Sequence, residues 1–292
     1  MFSTPKAFAG HINVIQRNAI QSWQRLDPDV EIILVGDDEG AAEVSAELGL
    51  VHVGKVAKNR YGTKYLASIY DQVDEIARYP ILCHANCDIV LTSDFARAVR
   101  TVVSQEDRFL MAGRRWDVEV QQPLDFDSRW EPAIQQLARK TNRLRPAQWI
   151  DYFVFPKGFY YKQIPEFVIG RPGWDNWLLW YPLSIGAPLI DASYDVLAIH
   201  QNHDYAYHPD GERGVWQGEE AQKNYRLHQG KFATLANATH VLRSGKVRQN
   251  YKAGFVRLGS HTKAIWSRLW FGSLDATRGV RHKLGLKSRS KS

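Results

Sequence analysis

The chain has 292 residues, 44% of them hydrophobic and 24% charged, which fits one large folded domain or two small ones. Ten Trp, thirteen Tyr and twelve Phe stand beside only 12 Pro and 21 Gly, so collagen-like, mucin-like and generally disordered chains are excluded. The net charge of +7 is unevenly spread: residues 240–292 carry 13 Lys and Arg against one acid, Asp275, whereas the residues before them carry 25 bases against 30 acids. A mildly acidic body precedes a strongly basic tail, and such a tail is either a solvated arm or a contact for nucleic acid or anionic lipid.

Strand and helix signals alternate from the start. Residues 2–6 read as a strand and loop. Residues 11–26 place Ile12, Ile15, Ala19, Ile20 and Trp23 on one helical face, and residues 31–35 form a β-branched run halted by Gly36-Asp-Asp-Glu-Gly40. Residues 41–48 read as a helix ending at Gly49, and residues 50–53 as a strand. Residues 63–77 read as a second amphipathic helix carrying Leu66, Ile69, Tyr70, Val73 and Ile76. The apolar run 81–85 then leads into Asn86-Cys-Asp-Ile-Val-Leu91. Further on, residues 109–113 and 152–156 are strand-like, 133–141 helical, 174–181 a short aromatic helix, and 189–200 contain another strand. Residues 211 to about 250 read as polar and helical, and the basic tail follows. Strands separated by helices of this length imply the α/β class, with a mostly parallel central sheet and helices on both faces.

Cys83 and Cys87 sit in one short stretch whose strand geometry keeps them from bonding to each other, so no disulfide framework is expected and a cytoplasmic location follows. The N-terminal stretch lacks the basic-then-apolar order of a signal peptide, and no run of 18 apolar residues predicts a membrane span.

In parallel α/β sheets, ligands bind beyond the carboxyl ends of strands. Four segments occupy such places: Phe2-Ser-Thr-Pro-Lys6, Gly36-Asp-Asp38, Asn86-Cys-Asp88 and His200-Gln-Asn-His203-Asp204. Their order over residues 1–210 resembles that of GT-A type nucleotide-sugar glycosyltransferases, with Asn86-Cys-Asp88 as an N-x-D variant of the family's D-x-D. The resemblance implies a GT-A-like catalytic domain over residues 1–210; the polar helical pattern that follows reads as a helical C-terminal part of the domain over 211–261, and the charge as a basic amphipathic tail over 262–292. The resemblance also implies a nucleotide-sugar donor and Mn²⁺ or Mg²⁺, whose charge would offset that of the departing diphosphate. Asp88 would be the carboxylate ligand and His200 or His203 a further ligand. Asn86 offers only a neutral oxygen where the family has its first aspartate.

By the same resemblance, Thr4 and Lys6 approach the nucleotide, Asp37 or Asp38 receives the base or ribose, Arg60 and Lys64 lie over base and pyrophosphate, and Asp151 meets sugar hydroxyls. Gly62-Thr63 also reads, on its own, as opening a helix whose amides favour anions. In Ile169-Gly-Arg-Pro-Gly-Trp-Asp-Asn-Trp177, a rigid turn presents Asp175 at a helix start among aromatics. That setting suits a partly desolvated base, and the resemblance implies that it deprotonates an acceptor hydroxyl in an inverting reaction; the alternative is an N-capping Asp. Arg114, Arg115 and Trp174 are the acceptor-side candidates, and the acceptor is expected to be a glycan or lipid-linked hydroxyl.

A nucleic-acid-binding protein using the basic arm is the alternative, though no RNA- or DNA-binding signature is found. Residues 262–274 place Ile265, Trp266, Leu269, Trp270 and Leu274 near one helical face, followed by further Lys and Arg. Such a segment suits an anionic membrane surface, with peripheral attachment at the inner face of the membrane; the alternative is a helix that packs back on the domain and ends in a disordered arm.

Overall fold

In the computed structural model, which describes residues 1–203 and 211–251, the elements are, in chain order, β1 (Phe2–Ser3), α1 (Gly10–Gln24), β2 (Ile33–Val35), α2 (Ala41–Leu48), β3 (Val51–Val53), α3 (Leu66–Ile76), β4 (Ile81–Ala85), β5 (Ile89–Val90) and α4 (Ser93–Val103). There follow β6 (Leu110–Val118), α5 (Trp130–Thr141), β7 (Ile150–Pro156), α6 (Trp174–Ser184), β8 (Leu189–Asp191), β9 (Ala198–Gln201), α7 (Gly211–Gln217), α8 (Glu219–His228), β10 (His240–Arg243) and β11 (Lys246–Gln249). They build one mixed sheet of order β11-β10-β8-β6-β7-β4-β1-β2-β3, with β9 beside the far half of β6 and β5 beside β9.

The first part of the sheet is parallel: β4, β1, β2 and β3 run in one direction, as expected of strands joined through helices. β7 enters antiparallel between β4 and β6, and β6 pairs parallel with both β8 and β9. The period of two along each strand divides the core. Phe2, Ile33, Val35, Leu82, Phe153 and Phe155 pack beneath α3 and α6, while Leu34, Cys83, Tyr152 and Val154 pack beneath α1, α2 and α4. Trp23, fully buried on α1, pins that helix to the sheet by donating its indole N–H to the Ile89 carbonyl at 2.8 Å. The expected α/β fold with helices on both faces is the one observed.

β6 changes partner along its length, from β8 at Leu110–Ala112 to β9 at Arg115–Val118, with a register shift between Ala112 and Arg114. Gly113 lies at this change, and a Cβ there would meet the Tyr152 hydroxyl at 2.2 Å. That side chain is fully buried, so it has no room to withdraw. Gly113→Ala is therefore expected to cost about 1–3 kcal/mol, the usual range for overpacking, and the urea midpoint measures it.

Two sequence expectations are corrected. α3 begins at Leu66 rather than at residue 63, because the Asn59 side chain accepts from the amides of Tyr61 and Thr63 and closes a turn that takes up the Thr63 N–H. Gly62-Thr63 therefore does not open a helix. The stretch 211–250 is helical only in its first half; β10 and β11 form a hairpin across Ser244-Gly245, both at positive φ (52° and 67°), the pairing that a two-residue hairpin turn requires. Asp195 accepts from both turn amides at 2.8 Å. Cys83 and Cys87 are buried free thiols. No helix among the described residues is long and apolar enough to cross a membrane. Asp204 and the segment 262–292, with the lipid contact expected of it, lie outside the described residues.

Candidate active site

Because β1, β2 and β4 are parallel, the chain leaves all three at the same edge of the sheet, at Thr4, Gly36 and Asn86. Thr4 and Asn86 line a cleft of about 1020 Å³ at that edge. Lys6 is fixed there by Gln16, a buried residue of α1 that accepts from the Lys6 amide at 2.7 Å and donates to its carbonyl at 2.9 Å. Lys64 is buried and forms an ion pair with Asp38, close against Gly36. At Gly36 the backbone has φ +128°, and a Cβ would fall 2.6 Å from Lys64 Cε, so glycine leaves the space that the Lys64–Asp38 pair occupies.

The turn from β4 to β5 presents Asp88. Strand β9 pairs antiparallel with β5, Ile89 opposite His200, and this brings both histidines to that carboxylate. His203 Nε2 lies 3.1 Å and His200 Nε2 3.9 Å from Asp88 Oδ2, and Lys6 Nζ lies 3.2 Å from His203 Nε2. Gln201, with no exposed surface, locks the arrangement by donating to the carbonyls of Ile15 and Asp88. Burial alone would raise the Asp88 pKa, but His200, His203 and Lys6 outweigh it and hold the carboxyl well below its ordinary range.

Asp88, His200 and His203 each offer one ligand atom within 4.8 Å of the others. Asp88 Oδ1 is buried with no hydrogen-bond partner among the described residues. An ionised carboxylate with an orphaned oxygen, set among imidazoles, fits a divalent cation such as Mn²⁺. Neither cysteine is among these ligand atoms.

Asn86 is bonded to Asp151 through both its backbone and its side chain. Its backbone N–H donates to the Asp151 carbonyl at 2.8 Å and its Nδ2 to Asp151 Oδ1 at 2.7 Å. Arg115 donates to Asp151 Oδ2 at 2.8 Å and to Asp117 Oδ1 at 3.0 Å. An aspartate at position 86 would set like charges 2.7 Å apart, which is a physical reason for asparagine there.

Asp175 stands on the first turn of α6, and the N-cap position is Gly173 rather than Asp175. Its Oδ1 accepts from the Asn176 amide at 2.9 Å. Burial, with the charge of Asp151 adding to it, pushes the Asp175 carboxyl up to about 6. The preceding turn is held by Asn224 of α8, which donates to the carbonyls of Val168 and Pro172.

The cleft thus brings together Thr4, Lys6, Asp38, Lys64, Asn86, Asp88, Arg115, Asp151, Trp174, Asp175, His200 and His203. Asp37, Arg60 and Arg114 are not part of its lining. Asp37 is exposed and paired with Lys58 at 2.5 Å, and Arg60 is exposed and paired with Glu219 at 2.6 Å. Trp174 is only 6% exposed and packs against Phe153 and His84. The lining also includes Trp149, whose ring the sequence offers as a sugar-stacking face, and Arg171, Trp216, Tyr225 and Phe232, which sequence reasoning did not place there. Local sequence carries no signal for them, since α7 and α8 bring the last three in from the far end of the chain.

No protein-family model and no curated protein matches the chain. Among solved structures it is similar to GalNAc-T7, solved with UDP, GalNAc and Mn²⁺, at 14% identity and a TM-score of 0.47, over 78% of this chain and 48% of that one. It is also similar to S. aureus TarS (residues 1–349) at 10% identity and a TM-score of 0.43, over 81% of this chain and 66% of that one. A third is the mannosyltransferase from Pyrobaculum calidifontis in complex with GDP-Man and Mn²⁺, at 14% and 0.43, over 71% of this chain and 58% of that one. The chain spans about half the length of the first of these.

Proposed function

We propose that this chain is a GT-A type nucleotide-sugar glycosyltransferase that moves a sugar from a nucleoside diphosphate to a hydroxyl of a glycan or lipid-linked acceptor, with inversion. The observation that supports this most is the presence, in one cleft, of the Asp88–His200–His203 cluster and of a second carboxylate, Asp175, whose proton affinity is raised to about 6. A low-affinity carboxylate among imidazoles is a cation site; a high-affinity one is a base poised near neutral pH.

A divalent ion held by Asp88, His200 and His203 would offset the negative charge of a departing diphosphate. Lys6, 3.2 Å from His203, adds a positive charge on the same side. Thr4, Asp38, Lys64, Asn86 and Asp151 line the donor half in this reading. Asp175, ionised above pH 6, accepts the proton of the acceptor hydroxyl as that oxygen bonds to the sugar's anomeric carbon and the bond to the diphosphate breaks. Arg115 is committed to Asp117 and Asp151, so in this reading it braces the donor side. The acceptor instead meets Tyr225 and Phe232, 42% and 48% exposed, whose rings offer stacking faces at the cleft.

Calorimetric titration with UDP and GDP, each with Mn²⁺ or with EDTA, tests the donor site. One of the two is expected to bind with Mn²⁺ and to weaken by about tenfold or more with EDTA, and the matching sugar nucleotide is expected to release its diphosphate slowly to water. Absence of binding by both nucleotides with Mn²⁺ present overturns the reading.

A further inference from the structure

The orientation of His200 is written in groups outside the cation cluster. Its Nδ1 lies 3.3 Å from Asn202 Oδ1 and 3.4 Å from Asp117 Oδ1. The amide of Asn202 has its direction fixed from the other side, where Nδ2 donates to Glu119 Oε1 at 2.6 Å. An ionised carboxylate only accepts, so the NH₂ end of Asn202 faces Glu119 and its oxygen faces the imidazole. Both neighbours of Nδ1 are therefore acceptors, and Nδ1 carries the ring proton. In the neutral ring Nε2 then carries the lone pair, and it is the ring nitrogen on the Asp88 side, 3.9 Å from Oδ2.

Asp117 is itself held in place. Arg115 Nε donates to its Oδ1 at 3.0 Å, Arg145 Nε lies 3.4 Å from Oδ2, and both guanidinium groups stack on the Trp149 ring, at 4.8 and 4.2 Å. The β6–β9 ladder sets Asp117 directly opposite His200. Metal-binding imidazoles usually present their second nitrogen to such a carboxylate or carbonyl, which fixes the tautomer and the ring plane.

We propose that Asp117 and Asn202 are positioning residues that hold His200 as its Nδ1–H tautomer, so that Nε2 is the atom it gives to a divalent cation. This rests on the cation reading of Asp88, His200 and His203, and two measurements on the full chain separate the two. Long-range ¹H–¹⁵N correlation of the imidazoles in the metal-free wild type, at a pH where they are neutral, is expected to show His200 protonated at Nδ1. Titration of Mn²⁺ followed by electron paramagnetic resonance is expected to show affinity lowered by about tenfold or more in Asp117→Asn and in Asn202→Leu, the range for loss of an outer-sphere partner. A wild-type His200 protonated at Nε2 overturns the assignment. Folded variants whose Mn²⁺ affinity stays within about twofold of wild type overturn the positioning role. Should Asp117→Asn fail to fold, Asn202→Leu and the wild-type spectrum still decide. A wild type that binds no Mn²⁺ defeats the cation reading instead, while the spectrum still decides the tautomer.

Discussion

Asp175→Asn is expected to lower kcat by about 10²–10⁴-fold while leaving the affinity for nucleoside diphosphate with Mn²⁺ within about twofold of wild type. The substitution keeps the oxygen that accepts from the Asn176 amide but removes the basic lone pair, and Asp175 is absent from the cation cluster. In the wild type, burial and then Asp151 raise the carboxyl to about 6, so kcat should fall as pH drops through that value and level off above it. The same shift has a signed consequence for stability. Between the ordinary Asp value near 4 and the folded value of about 6, the folded chain binds more protons than the unfolded one, so this group lowers stability as pH rises through that window. Above pH 7 the wild type carries the full penalty and the amide carries none. Asp175→Asn should therefore melt above wild type at pH 7–8, each 1 kcal/mol recovered being worth roughly 2–4 °C in a chain of this size. A slow but more stable variant is the signature of a desolvated base; near wild-type turnover would remove Asp175 from the chemistry.

What was legible in the sequence was whatever a short window encodes. α2 ends at Gly49, in the left-handed conformation, where the sequence places its stop, and α6 begins at Trp174 after the Gly170–Gly173 turn, as read. Asn86-Cys87-Asp88 and the His200 segment are joined as one ligand set only through the family resemblance, and antiparallel pairing of β5 with β9 brings them within reach of one another. What stayed hidden depends on pairing between distant strands. Asp117 looks like one more charge in a mixed stretch until the β6–β9 register sets it opposite His200. Nothing near Asn86 in the sequence shows that its side chain donates to Asp151, 65 residues later. The β10–β11 hairpin hides in a polar stretch, where Leu242 and Val247 face each other only once the strands pair across Ser244-Gly245. Tyr225 and Phe232 reach the cleft only because Asn224 and Asn176 bond across from α8 and α6.

Asp88→Asn is expected to separate cation binding from anion binding in a way that no other single change in the cleft does. Asp88 supplies the sole carboxylate of the three-residue cluster, and the imidazoles that remain are neutral ligands when bound to a metal. Mn²⁺ affinity should therefore fall by more than about a hundredfold, beyond the tenfold to hundredfold that loss of an outer partner such as Asp117 costs. Turnover should collapse with it. A nucleoside diphosphate in the cleft should behave differently, because the Asp88 carboxylate would repel its phosphates while Lys6, 3.2 Å from His203, would attract them. With that repulsion gone, binding in EDTA should be equal to or tighter than in the wild type, and adding Mn²⁺ should change it little. In the wild type the order should be reversed, with Mn²⁺ strengthening the complex. Calorimetry on the two proteins, each with EDTA and with Mn²⁺, reads all four affinities. If Asp88→Asn kept a Mn²⁺-dependent gain in nucleotide affinity, the cation would have to be held elsewhere in the cleft, and the Asp88–His200–His203 cluster would be a hydrogen-bonded strut between β5 and β9.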